Sequence, residues 1–266
     1  MMRQGHILAA LALCTATAAC NPEQAKTPGP QESYAPERYR QAIGDIARMD
    51  DVDEDEARKP GELLAFAQID RGDVVGDFIM GGGYVTRLLA TAVGGDGRVY
   101  AFQPEELIAA IPDLARSQDE TVRRYSDAEG NPVRVFPLRA SLTQPGWPEP
   151  LDTIMTVMNF HDLYLSDLPD GTARDAIAAM YAALKPGGTL VVVDHFAADG
   201  AGAEAASALH RMDADLALAD LEMAGFVLEE TSDLYRRRGD GRTANVFDES
   251  IRGRTDQFAW RLRKPE

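Results

Sequence analysis

Cysteine is almost absent from this 266-residue chain: Cys14 and Cys20 are its only two, and both fall within the first twenty residues. Residues 21–266 therefore carry no disulfide, no cysteine metal ligand and no cysteine nucleophile. Long apolar runs are also lacking. After residue 20 none approaches the roughly 18 residues that a membrane-crossing helix needs. Positive charge is scarce, with 27 Lys and Arg against 43 Asp and Glu, a formal net charge of −16. That balance argues against a nucleic-acid partner, which needs a basic surface, and against adhesion to anionic lipid. Histidine is rare as well, at four residues. What is there, 45% hydrophobic and 26% charged residues, suits a globular protein. The length suits one good-sized α/β domain with extra segments.

The first twenty residues have a pattern of their own. Arg3 is followed by the apolar stretch Ile7 to Leu13 and by the small residues Thr15-Ala16-Thr17-Ala18-Ala19-Cys20. This is the pattern of a secretory signal peptide. Ala18-Ala19-Cys20 resembles a bacterial lipobox, with Thr17 where leucine is usual. The expectation is an exported protein, periplasmic or membrane-anchored through a lipid on Cys20; an ordinary cleaved signal is the plainer alternative. Residues 21–33 are polar and Pro-rich, as in a tether. Residues 34–60 have helical spacing and contain the acidic run Asp50-Asp51-Val52-Asp53-Glu54-Asp55-Glu56, read as a solvated surface.

From Gly61 onward strand and helix patterns alternate. Strands are expected at 73–79, 98–102, 133–138, 151–158, 189–193, 226–235 and 257–263. Helices are expected at 62–67, 84–93, 105–116, 172–184 and, for the most part, 203–225. The first, fourth and fifth strands are continuous apolar runs, which implies a sheet covered on both faces. Alternating βαβ units predict a Rossmann-like, doubly wound α/β domain over residues 61–266. Ligands of such sheets bind beyond the carboxyl ends of the strands, where the strand order switches.

Gly81-Gly82-Gly83 lies between the first strand and its helix, where glycine lets the backbone turn sharply and approach a ligand. Asp77 ends that strand, with Gly81 and Gly83 at the fourth and sixth positions after it. Leu184-Lys185-Pro186-Gly187-Gly188-Thr189-Leu190 forms a second turn, before the fifth strand. These two turns, in this series, resemble those of class I S-adenosylmethionine-dependent methyltransferases. The chain from Tyr34 to Glu266 is also similar to a group of exported, methyltransferase-like bacterial proteins. Its marks are Arg58-Lys59-Pro60, Asn159-Phe160-His161-Asp162, Val193-Asp194-His195, His210-Arg211 and Arg263-Lys264-Pro265. The resemblance implies a seven-stranded sheet, mostly parallel with an antiparallel last strand and helices on both faces. It implies S-adenosylmethionine as cofactor, held by Asp77, Gly81, Gly82, Gly83, Gln103 and Asn159, and methyl transfer to a small acceptor. The chain departs from the family at three places. Ile79 stands where the first glycine is expected. Gln103, with Glu105 two residues on, replaces the acid that ends the second strand and binds ribose. Leu138-Arg139-Ala140-Ser141 stands where many members carry an adenine-binding aspartate.

His6 belongs to the leader. His161, His195 and His210 follow the fourth strand, the fifth strand and the next helical stretch, so all three are expected at the rim where ligands bind. His161 with Asp162, Asp194 with His195, and His210 with Arg211 are the candidate catalytic constellation. His161 is the candidate base and Asp194 its orienting partner. Two other readings stay open: a binding protein that keeps the fold without the reaction, and a metal-dependent enzyme whose histidine rim holds Zn²⁺ or Fe²⁺. Arg236-Arg237-Arg238-Gly239-Asp240-Gly241-Arg242, between the last two strands, is read as a solvated hairpin, with contact to an anionic substrate as the alternative.

Overall fold

The computed structural model describes residues 34–266. The leader, the Pro-rich linker and Cys20 lie outside the described residues. Seven strands form one sheet: β1 (Val74–Phe78), β2 (Arg98–Pro104), β3 (Val135–Ala140), β4 (Leu151–Val157), β5 (Leu184–His195), β6 (Val227–Ser232) and β7 (Gln257–Arg263). Their order is β3-β2-β1-β4-β5-β7-β6. The β1–β2, β2–β3, β1–β4 and β4–β5 pairs are parallel, and β7 runs antiparallel to both β5 and β6. The order reverses between β1 and β4, so the ligand crevice of a doubly wound sheet opens beyond their carboxyl ends.

The apolar strands are continuous because each serves two cores. Val191 and Val193 of β5 face one core, with Leu63, Leu88 and Met155. Leu190 and Val192 face the other, with Ile177, Phe258 and Leu262. Side chains alternate across a strand with period two, so a sheet covered on both faces needs an apolar residue at every position.

The helical segments are α1 (Arg40–Ile43), α2 (Asp55–Arg58), α3 (Pro60–Ala67), α4 (Tyr84–Ala92), α5 (Glu105–Ala110), α6 (Asp113–Arg124), α7 (Thr172–Ala183), α8 (Glu204–Leu209) and α9 (Ala214–Met223), with 3-10 segments at Pro36–Tyr39, Ile46–Glu54 and Phe160–Tyr164. Two expected helices are each split. The 105–116 stretch breaks at Ile111-Pro112 and resumes as α6. Proline has no N–H to continue the ladder, and it disfavours helical backbone at the residue before it; Ile111 has φ −133° and ψ 83°. The 203–225 stretch breaks at His210, whose left-handed backbone ends α8. Asp213 then starts α9 by accepting hydrogen bonds from the N–H groups of Asp215 and Leu216. The Lys185-Pro186-Gly187-Gly188 turn lies inside β5, not before it. It bulges between the pairings Leu151 with Leu184 and Thr153 with Thr189.

The acidic run is not a solvated surface throughout. Asp51 is buried and takes a two-pronged ion pair from Arg87 of α4, at 2.7 and 2.5 Å. Asp55 accepts from the buried Arg48 at 2.5 Å and from the Tyr84 hydroxyl at 2.6 Å. The charges are tolerated inside because each is paired and further hydrogen-bonded. Arg87 also donates to the Gly82 carbonyl at 2.9 Å and to Thr121 at 2.8 Å, so the N-terminal segment braces the glycine turn. Asp51→Ala leaves a buried guanidinium without its counter-charge, and a loss of about 3–5 kcal/mol is expected. Denaturant unfolding of wild type and variant checks this; a loss below about 1 kcal/mol would mean that the pair is not what holds the segment down.

Candidate functional site

The glycine turn leaves β1 with its backbone in the left-handed region. Ile79, at the position of the first expected glycine, has φ +62°, Gly81 φ +53° and Gly83 φ +84°. The substitution at 79 has therefore kept a glycine-like backbone while carrying a β-branched side chain, which strains the chain there. The Ile79 side chain is buried in the β1–β4 core, which offsets the strain. At Gly83 a Cβ would come within 2.5 Å of Thr121 Oγ1 and 2.7 Å of Arg87 Nη1, so glycine is required. At Gly81 and Gly82 a Cβ would meet nothing within 4 Å, so that stretch of backbone faces open space that a ligand can approach.

Asp77, at the end of β1, is buried and accepts a hydrogen bond from the Thr86 hydroxyl of α4. Burial pushes its carboxyl up to about 6, against the opposing pull of the Thr86 hydrogen bonds and the Arg87 charge. Gln103, at the end of β2, is fully buried, and neither its amide oxygen nor its amide nitrogen has a hydrogen-bond partner. Two orphaned polar atoms in one buried amide are costly unless something pairs them. Glu105, the other candidate there, is exposed in the first turn of α5.

The loop after β3 is closed by the chain itself. Glu106 accepts from Ser141 Oγ at 2.8 Å and from the Leu142 N–H at 3.1 Å. Arg139 turns away to Ala115 O, at 2.9 Å, and to an ion pair with Asp119. It ties β3 to α6.

The histidine rim forms at the carboxyl ends of β4 and β5. Asp194, the penultimate residue of β5, is wholly buried. It accepts the backbone N–H of His161 at 2.6 Å and of His195 at 2.7 Å. His161 Nδ1 lies 2.9 and 3.0 Å from its two oxygens. The pairing places a proton on Nδ1, so in the neutral ring it is Nε2 that carries the lone pair. Burial opposes charge on His161, but Asp194 overcomes it and the ring is held above its ordinary pKa. Asp194 itself lies below the ordinary carboxylate range: burial works against this, and the charge and hydrogen bonds of His161 decide it.

His161 Nε2 is 3.4 Å from Asp162 Oδ1, and the His210 ring meets the His161 ring edge-on at 5.4 Å between centroids. Burial pushes Asp162 up to about 6. His195 is engaged elsewhere, with Nδ1 2.8 Å from Thr255 Oγ1; burial lowers it to about 4 and keeps its ring neutral at physiological pH. Asn159 lies between the two halves of the site. Its side-chain amide donates to the Ile79 carbonyl, which joins the loop after β4 to the glycine turn.

Of the sequence candidates, the structure brings His161, Asp162, Asp194 and His210 together. It places Asp77, Gly81, Gly82, Gly83, Gln103 and Asn159 along the neighbouring ends of β1, β2 and β4. Arg211 is structural: it is fully buried, paired with Asp240 at 2.8 Å and bonded to the carbonyls of Phe196 and Ala244. The basic stretch 236–242 is not solvated throughout, because Arg236 and Arg242 are bound to the buried Asp256 at 2.9 and 2.8 Å. Asp51, Arg87, Thr121, Glu106, Thr255 and Phe247 were missed. All act through partners distant in the chain, and no local pattern marks them.

No protein-family model matches the sequence, and no curated protein is similar to it by sequence. Solved structures are similar in fold. One is an S-adenosylmethionine-dependent methyltransferase from Aquifex aeolicus, 18% identical, with a TM-score of 0.52 over 84% of this chain and 98% of that one. Another is the N-methyltransferase NodS from Bradyrhizobium japonicum, 19% identical, with a TM-score of 0.54 over 82% of this chain and 100% of that one.

The native protein holds the Asp77 proton more tightly than the unfolded chain does, so ionising Asp77 opposes folding as pH rises from 3.8 to about 6 and fully beyond it. Asp77→Asn should therefore leave the melting temperature near that of wild type below about pH 4 and raise it most above about pH 6. A melting-temperature difference that does not change with pH would contradict this assignment. The sheet order, the reversed β7 and these structural likenesses agree: the chain has the Rossmann-like fold of S-adenosylmethionine-dependent methyltransferases.

Proposed function

We propose that this protein transfers the methyl group of S-adenosylmethionine to a small acceptor brought to the histidine rim. The observation that carries the reading is Gln103: a fully buried amide, with both polar atoms unpartnered, at the place where the family binds ribose. An amide supplies one acceptor and two donors, enough to hold two hydroxyl groups. Gly81 and Gly82 offer an unobstructed backbone beside it. When bound, the cofactor supplies an electrophilic methyl group on a sulfonium centre. The chain's part is to align the acceptor with that group and to manage the acceptor's proton. Asp194 holds the neutral His161 ring in one tautomer, with the Nε2 lone pair on the side of Asp162. Export, and a lipid on Cys20, rest on the leader's sequence and belong to this proposal.

The closed loop after β3 favours a second reading, a binding protein that keeps the fold without turnover. Glu106 occupies the Ser141 and Leu142 groups that an adenine would otherwise approach.

Calorimetry with S-adenosylhomocysteine tests the cofactor. Wild type should bind it, and Gln103→Ala should weaken binding about 10- to 100-fold, the equivalent of one or two hydrogen bonds. No binding to wild type at millimolar ligand would end the proposal. For turnover, His161→Ala should lower kcat by about 10²–10⁴, the usual contribution of a positioned acid–base group, while binding of S-adenosylhomocysteine persists. Cofactor binding without any methyl transfer to a panel of small acceptors favours the second reading.

A further inference from the structure

We propose that His161, Asp162 and His210 form a binding site for a divalent transition-metal cation of the zinc or ferrous class. One ligand atom from each residue lies within 4.8 Å of the others. His161 Nε2 and Asp162 Oδ1 are 3.4 Å apart. That is too long for a good hydrogen bond, yet it is close to the separation of about 3.4 Å between two ligands that each stand about 2.1 Å from a tetrahedral cation. Two imidazoles and one carboxylate with open positions are a donor set suited to zinc or ferrous iron.

Each of the three groups has unused capacity. Among the described residues, the Asp162 carboxylate accepts no hydrogen bond and the His210 ring has only its edge-on aromatic neighbours. Asp162 is nevertheless only partly exposed, and its one charged neighbour within 4 Å is His161, at 3.4 Å. A cation at this point supplies a counter-charge.

The surroundings orient the same three groups. Asp194 engages His161 Nδ1 from behind, as outer carboxylates commonly do for metal-binding histidines, and turns Nε2 toward Asp162. His210 is held in the left-handed backbone, with φ +51°, at the end of α8. A non-glycine residue is uncommon in that conformation, and such residues concentrate at functional sites. Its ring packs edge-on against Phe247 at 4.9 Å, which holds it against His161. His195, whose Nδ1 is given to Thr255, stays outside the group. With three protein ligands, the cation keeps a position for an acceptor oxygen or sulfur, whose proton it would make easier to lose; in the loaded site His161 Nε2 serves as ligand and not as free base. This places the metal on the acceptor side, apart from Gln103 and the glycine turn.

The test is titration of the chelator-treated full chain with Co²⁺, a spectroscopic stand-in for zinc, followed by displacement with Zn²⁺. One equivalent of Co²⁺ should bind, with visible ligand-field absorption that Zn²⁺ abolishes, and saturation should raise the melting temperature. His210→Gly relieves the strained backbone, so the fold is kept while the ring is removed. This variant and Asp162→Asn should each lose more affinity than the 10- to 100-fold that an outer-shell change costs, and neither should show the melting shift. Absence of stoichiometric Co²⁺ in wild type, or wild-type affinity in either variant, overturns the site. S-adenosylhomocysteine binding is measured on metal-free protein, so loss of one reading leaves the other standing.

Discussion

The buried carboxylate of Asp194 is the interaction on which the rest of the site depends. It lies at the end of a central strand, with no exposure to water, and such a charge is tolerated only with full compensation. The backbone N–H groups of His161 and His195 provide part of it and the His161 ring the rest. Each contact fixes something else. The His161 N–H bond sets where the chain turns after β4, the ring contact sets the tautomer, and the His195 N–H bond holds the end of β5. The candidate chemistry of the rim follows from the way one buried charge is neutralised.

The neighbouring glycine turn is held by a different economy. The N-terminal segment supplies Asp51, Asp51 fixes Arg87, and Arg87 holds the Gly82 carbonyl. This scaffold lets the turn carry strain at Ile79, a branched residue in a glycine-like conformation. Asp77 is a second cost at the same place, because a buried acid displaced upward to about 6 lowers stability at neutral pH. Strain and buried charge are thus gathered at one strand end, where both lower the stability of the fold.

Much of the fold was legible in the sequence. The seven strands were located to within a few residues, and 257–263 matches β7 to the residue. These segments are apolar at every position or bounded by Gly and Pro, so their signal is local. The convergence of His161, His210 and Asp194 was also legible, since each follows a strand or helix whose end must point to the same rim. The breaks at Ile111-Pro112 and His210 were less so. The first depends on where proline falls within a helical pattern, and the second on the αL backbone of a histidine, which no periodicity reveals.

By itself the sequence determined the α/β class and the order and approximate place of the strands, because these follow from hydrophobic period and turn chemistry over short stretches. Tertiary structure decided which charges are inside. Asp51 and Arg87 are 36 positions apart, and Arg242 and Asp256 are 14 apart. A solvated acid and a buried, paired one have the same one-letter pattern, and only the approach of a distant partner separates them. The same reason governs Gln103. Its type and place are in the sequence, but that both ends of its amide are buried without a partner is a property of the packed sheet.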